Sequence, residues 1–404
     1  MGRCKQEKKW PFTRRPNLVT NAFGSSLEIG DVDVSDNLPP IWEAKSHTLA
    51  KHQILKAYLN AWMPIMSRQS QHLGIANTRL LFVDGFAGPG SYTGGQEGSP
   101  ILALKLVLSH SHQFNIPVRF LFIEENKKRY GLLLEEIKKY ETQLEESPRV
   151  ESHLEICGDC EIVLNNWLDD LAASGENLGP AIFFLDQCGF SDVSMKLVER
   201  IMSQPLCEVF SYLNWDHMNR FIQDNTKWPS ITKAFGGEEW KGVFNIEQSR
   251  KAGFMLEKYK CAIKERANSK YLWNFAMCDE NGKLLYWLFF CTNNLRGLEE
   301  MKRAMWQVDK TGGFRFSDSD NPCQLSLFQN CTEEILAGEL KARLSGQILT
   351  VEKIKEFVLT ETPAYSFKKA IKILEDSRRL EIISAPHRRR KGTFPDDNIV
   401  LKIL

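Results

Sequence analysis

The stretch Leu80 to Ser109, LLFVDGFAGPGSYTGGQEGSPILALKLVLS, limits the possible folds more than any other part of the chain. Leu80–Val83 is a short apolar run of the kind that forms a buried strand. It runs into Asp84, Gly85, Phe86, Ala87, Gly88, Pro89 and Gly90. A helix then follows, with Ser99 as expected N-cap, Pro100 at the first helical position and apolar residues at helical spacing. Strand, glycine turn and helix together predict the nucleotide-binding crevice of an open, doubly wound α/β sheet. The spacing excludes two common versions. A dinucleotide fingerprint needs a third glycine where Thr93 stands, and a phosphate loop needs a Gly-Lys-Ser/Thr ending. The rival reading is a plain tight turn in another α/β enzyme.

The rest of the chain extends this pattern. Val118–Ile123 is a second buried strand ending at Glu124, where a carboxylate can accept two hydroxyl hydrogen bonds. Asn126–Glu146 is a charged helix with an apolar stripe, and His153–Ile156 a third strand followed by Gly158 and Asp159. Ala181–Leu185 is the fourth strand and delivers Asp186, Gln187, Cys188, Gly189 and Phe190 to the same edge. Glu208–Leu213 is the fifth strand, and 216–270 reads as a helical insertion. Tyr271–Ala276 and Leu284–Cys291 form a hairpin around Asn281-Gly282 that closes the sheet. Ahead of the first strand, Trp42–Met66 has helical apolar spacing, with Lys51-His52 facing cofactor, nucleic acid or solvent. The loop Ser91–Gly98, with three glycines and Tyr92 as its apolar anchor, is expected to close over a ligand.

The 404 residues suit two or three domains. We divide them into an arm at 1–40, an α/β domain at 41–315 and a C-terminal domain at 323–404, with a turn-rich boundary near Phe314–Pro322. In the last domain three helices precede two strands that flank His387-Arg388-Arg389-Arg390-Lys391, which is the pattern of a winged helix-turn-helix. Lys368, Lys369 and Lys372 on its third helix and Arg388, Arg389, Arg390 and Lys391 at the wing tip are candidate phosphate contacts. The alternative is a protein-docking module using Ile348, Leu349 and Phe394. A net charge of +1 excludes a global polycation, and no apolar run reaches membrane-spanning length. Ten cysteines, scattered except for Cys157-x-x-Cys160, suit reduced thiols in the cytoplasm and give no expected metal site.

The motif D-x-F-x-G-x-G resembles the first motif of S-adenosylmethionine-dependent amino-methyltransferases. DGFAGPGSYTGGQEGSP, LRGLEEMKRAMW and the winged helix resemble the three-Cys-motif partner (TcmP) proteins over roughly residues 40–404. That resemblance implies a Rossmann-like class I methyltransferase sheet and S-adenosyl-L-methionine as cofactor, held by Asp84, Gly85, Phe86, Gly88, Gly90, Glu124 and Asp159. It also implies a radical-SAM-like protein partner carrying three cysteines. The glycine loop is similar to that of a bacterial ribosomal RNA adenine-N6 methyltransferase, which also has a Lys-His pair in its first helix. The implied function is methyl transfer to an exocyclic amine of an RNA or DNA base, with Asp186 accepting from the amine and Phe190 stacking on the base. In that class the matching segment is Asp/Asn-Pro-Pro-Tyr/Phe. Here both prolines are missing and the aromatic is one residue later. The competing expectation is a catalytically inactive nucleic-acid-binding partner that keeps the fold, in a phage- or defence-type system.

Overall fold

The computed structural model describes residues 40–72, 79–113, 116–175, 177–187, 189–309, 315–317, 333–385, 389–395 and 398–404. The expected N-terminal arm lies outside the described residues up to position 39, as do Cys188, Arg388 and most of the expected boundary.

The chain begins with helix α1 (Ser46–His72). Strands β1 (Leu80–Asp84), β2 (Val118–Glu124), β3 (Val150–Cys157), β4 (Ala181–Leu185) and β5 (Cys207–Leu213) alternate with helices. These are α2 (Ser99–Leu108), α3 (Lys127–Lys138), α4 (Glu141–Glu146), α5 (Cys160–Ser174) and α6 (Met195–Met202). The expected insertion holds α7 (Trp215–Phe221), α8 (Trp228–Phe235) and α9 (Lys251–Arg266). Strands β6 (Tyr271–Cys278) and β7 (Leu284–Thr292), helix α10 (Leu295–Val308) and the short strand β8 (Arg315–Ser317) complete the first unit.

The sheet order is β3-β2-β1-β4-β5-β7-β6-β8. The first five strands pair in parallel, and β7 is antiparallel to both β5 and β6. This is the Rossmann-like order of class I methyltransferases, and its direction reverses between β1 and β4. Ligands bind outside the strand ends at such a switch point. There Asp84 ends β1 and Asp186 follows β4.

Side chains alternate faces along each strand. Leu81, Val83, Phe183 and Leu185 meet α5, α6 and the insertion on one face. Leu80, Phe82, Ile182 and Phe184 meet α1, α2 and α10 on the other. Helix α1 starts four residues later than its spacing suggested and continues through Pro64. A proline there removes the hydrogen bond to the carbonyl of Asn60. The His110 ring replaces it, its Nε2 donating to Asn60 O at 3.0 Å.

The expected long helix after β2 breaks into α3 and α4, its last turn tightening through Tyr140 N to Ile137 O at 2.9 Å. Helix α2 takes Gly98 as its N-cap, and the expected cap Ser99 is its first residue. The C-terminal unit contains α11 (Glu333–Leu344), β9 (Ile348–Thr350), α12 (Val351–Glu361), α13 (Lys368–Asp376), β10 (Leu380–Ser384) and β11 (Val400–Ile403). Its three-stranded sheet, β10-β11-β9, has a core of its own and makes the winged helix. Strand β9 is an addition to the sequence-based expectation. Phe394 belongs to this core and is not an exposed docking residue, while Ile348 is exposed.

Candidate functional site

The glycine turn is built by close approach. A Cβ on Gly85 would lie 2.6 Å from the Cys160 sulfur, and one on Gly98 would lie 2.9 Å from the Gly90 carbonyl oxygen. Gly88 (φ +64°) and Gly90 (φ +83°) occupy the left-handed region that side chains resist. Phe86 packs against the core and its amide donates to Asp84 Oδ1 at 3.1 Å.

Asp84 is wholly buried, and its Oδ2 has no hydrogen-bond partner among the described residues. Burial pushes its carboxyl up to about 7, against the opposing effects of the Ser99 hydroxyl and the Phe86 amide, with Asp186 adding repulsion. Glu124 grips the turn from β2. Its Oε2 accepts from Gly88 N at 2.9 Å and its Oε1 from Asn126 N at 2.8 Å. Each oxygen keeps a second lone pair for a ligand hydroxyl. Asp159 is half-buried and caps α5, accepting from Ile162 N at 2.8 Å.

The loop Ser91–Gly98 closes on itself. Ser91 bridges Glu97, and Tyr92 N donates to Gln96 O at 2.9 Å. Lys51 and His52 point inward from α1 and are buried. Lys51 is therefore not a surface cation for phosphate. It forms an ion pair with Asp186 Oδ2 and lies 5.7 Å from the Tyr212 ring. Burial lowers the His52 imidazole to about 3, helped by the Lys51 charge, so its ring is neutral at neutral pH.

Gln187, which stands where a proline was expected, fixes the loop instead. Its Oε1 accepts from Asp192 N at 3.0 Å and Val193 N at 3.1 Å, and its Nε2 donates to Tyr212 O. Phe190 does not present a stacking face. It is 4% exposed, packs in the core and lies 5.4 Å from His217.

Asp186 and Lys51 instead line a cleft of about 330 Å³ together with Trp42, Tyr92, Tyr212 and Tyr286. That volume is at the small end of ligand pockets. Of these four, Tyr92 was visible as the anchor of the loop expected to close over a ligand, and Trp42 as the start of the first amphipathic helix, while Tyr212 and Tyr286 sit within strands and no motif marks them.

Among the described residues, the winged helix holds four of its six candidate phosphate contacts in internal pairs. Lys369 meets Glu333 at 2.9 Å, Lys372 meets Asp376 at 3.0 Å and Lys391 approaches Asp376 at 3.7 Å. The Arg389 side chain is buried against Glu375, which also accepts from Gly392 N at 2.7 Å. Lys368 and Arg390 are exposed and have no ion-pair partner among the described residues. Arg388 lies outside those residues. Among them, no group of three or more His, Cys, Asp or Glu is arranged to hold a metal ion, and no helix is long and apolar enough to cross a membrane.

A family model described as a GMT-like wHTH domain matches residues 313–387. No curated protein matches the sequence. Several solved structures are similar. A DUF519-family protein of Legionella pneumophila aligns at 10% identity and TM-score 0.34, over 62% of this chain and 86% of that one. Trm1 of Pyrococcus horikoshii, solved with S-adenosyl-L-methionine, aligns at 10% identity and TM-score 0.35 over 68% of this chain. The match spans 61% of Trm1, less than two thirds of its length. A methyltransferase of Geobacter sulfurreducens, solved with S-adenosyl-L-homocysteine, aligns at 10% identity and TM-score 0.24 over 56% of this chain and 88% of that one.

Proposed function

We propose that this chain is an S-adenosyl-L-methionine-dependent methyltransferase acting on an exocyclic amine of a nucleic-acid base. The observation that carries the reading is the ion pair of buried Lys51 with half-buried Asp186, set at the switch point beside a glycine turn. The turn fits the cofactor. Gly88 has a positive φ, with the edge of the Trp42 ring 4.0 Å from where a Cβ would lie, Glu124 has spare lone pairs, and Asp84 Oδ2 is an unspent acceptor among the described residues.

When bound, that cofactor supplies an electrophilic methyl group on a sulfonium. The chain's own task is positioning. Lys51 occupies Asp186 Oδ2 and leaves Oδ1 to accept from the target amine. That hydrogen bond turns the nitrogen lone pair toward the methyl group. Once the nitrogen is methylated, its surplus proton would leave to water or to Asp186. The winged helix, through Lys368 and Arg390, would hold flanking phosphates.

A second reading is a non-catalytic partner subunit, in keeping with the resemblance to the three-Cys-motif partner proteins. It is favoured by Gln187 being spent on its own loop and by the burial of Phe190. Transfer of a labelled methyl group to RNA and DNA separates the two. We expect the parent to transfer label, and Asp186→Asn to lose transfer by at least about a hundredfold while its affinity for S-adenosyl-L-homocysteine stays within about twofold. A parent that binds the cofactor and nucleic acid but transfers no label with any substrate is the non-catalytic subunit.

A further inference from the structure

We propose that Trp42 is the platform on which the target base stacks, an inference that rests on the nucleic-acid reading above. The aromatic at the β4 exit, Phe190, is buried in the core and leaves that role empty. Tyr212 and Tyr286 line the cleft, yet both are buried and pack edge to face against each other at 5.1 Å. Trp42 is only half-buried, lines the same cleft as Asp186 and carries the largest ring there.

It is also held in place before any ligand arrives. Its carbonyl accepts from Thr93 N at 3.1 Å, which ties the segment to the loop after the glycine turn. Tyr92 meets it edge to face at 5.9 Å, and the Arg129 guanidinium covers its ring 4.9 Å from the centroid. The indole reaches the glycine turn as well, since a Cβ on Gly88 would lie 4.0 Å from Trp42 Cη2. Trp42 thus stands between the turn that fits the cofactor and the acceptor Asp186. A base lying on the indole would present an exocyclic amine into that gap. Stacking by itself accepts any base, because each has a π face. Asp186 then selects the bases that carry an amine over those that do not.

The test uses the full chain, short fluorescein-labelled single-stranded RNA and DNA of mixed sequence, and S-adenosyl-L-homocysteine. Trp42→Ala should weaken oligonucleotide binding about ten- to a hundredfold, the usual cost of removing one stacking ring. Trp42→Phe should recover most of that loss. The salt slope should stay that of the parent, since every phosphate-binding side chain is still present. Calorimetric affinity for S-adenosyl-L-homocysteine should stay within about twofold in both variants, which also reports an intact fold. Oligonucleotide binding equal to the parent's in Trp42→Ala overturns the platform. So does a parallel loss of S-adenosyl-L-homocysteine affinity, which would make Trp42 a cover for the cofactor. If the parent itself binds neither RNA nor DNA, the nucleic-acid reading falls and takes this inference with it. The parent's own silence tells that failure from the other two.

Discussion

Asp84 and Glu124 stand at neighbouring strand ends and are treated very differently by the fold. Glu124 accepts from two backbone amides, Gly88 in the glycine turn and Asn126 at the start of α3. Asp84 receives one amide, and its second oxygen is buried with no hydrogen-bond partner among the described residues. The sequence showed which strand ends carry acids, because strand and turn signals are local. It did not show this difference, which depends on Ser99, Lys51 and Asp186 arriving from three other elements. The difference predicts a pH dependence of stability. An unfolded Asp84 ionises near 3.8, and the folded one near about 7. Between these values the unfolded chain has released a proton that the native state keeps, so stability falls as pH rises and levels off above about 7. Asp84→Asn removes this penalty and keeps an acceptor for the Phe86 amide. Its stability advantage over the parent should grow by about 2–3 kcal/mol between pH 5 and pH 8, on the scale of 1.36 kcal/mol per unit. Thermal melts of both proteins at the two pH values check this. An advantage that does not change with pH would contradict a raised Asp84 carboxyl.

The elements were more legible than their contacts. The spacing of Leu49, Ile54, Leu55, Tyr58, Leu59, Trp62 and Met63 reads as one helix face, and all of them but the half-buried Leu49 are buried. Lys51 and His52 share that buried side, but charged residues at a helix start normally read as solvated. Only a carboxylate 135 residues away, Asp186, makes sense of Lys51. The wing shows the same limit. Its run of basic residues was plain in the sequence, but the acids that neutralise it sit on the helices before it. Arg389 and Lys391 turn back to Glu375 and Asp376 near the end of α13, while Arg390 faces outward. The basic run therefore divides by task. Arg389→Ala should strip the Glu375 carboxylate of its counter-charge and leave it the Gly392 amide, costing on the order of 3 kcal/mol of winged-helix stability. Replacing Lys368 and Arg390 together by alanine should leave the melting temperature unchanged. It should weaken binding equally across sequences and reduce the salt slope by about one for each phosphate that is no longer neutralised. Anisotropy at several salt concentrations, beside thermal melts, separates the two variants. The division fails if Lys368 and Arg390 can be removed with no effect on the slope.

At the scale of the whole molecule, the sequence marked two units and left open how they meet. The structure joins them through α12. Leu359 is fully buried with Tyr271 and Leu298. Tyr271 Oη donates to Glu356 at 3.1 Å, and Lys355 meets Glu299 at 2.9 Å. At the centre is Lys302, which reads as a surface charge within LEEMKRAMW yet is 2% exposed. Its ammonium donates to Leu359 O at 2.9 Å, Val358 O at 3.4 Å and Thr362 O, and lies 3.8 Å from the Trp273 ring centre. The last carbonyls of a helix lack intrahelical partners and form the negative end of its dipole, so a cation there is both cap and counter-charge. Tyr271 opens β6, whereas Met277, near its other end, pairs with the cleft residue Tyr286. At about 3.3 Å per residue the docked helix and the cleft are separated by about 20 Å along the strand. On the proposed function, a nucleic acid held by the winged helix would be gripped at a fixed offset from the target base, an offset that the contacts of Lys302 and Leu359 would set. Lys302→Met keeps the length of the side chain and removes its charge, taking the donor away from the Leu359 and Thr362 carbonyls, while Val358 O still accepts from the Thr362 amide and hydroxyl. A hydrogen bond to a charged group is worth about 1.5–3 kcal/mol, so the docked state should weaken by about that much. Amides near the end of α12 and at the start of β6 should then exchange on the order of a hundredfold faster, with β1 to β5 unchanged. The radius of gyration in solution should rise as the two units separate. If exchange at α12 is unaltered in Lys302→Met, the apolar contact of Leu359 with Tyr271 and Leu298 holds the domains by itself, and the charge is not what fixes the offset.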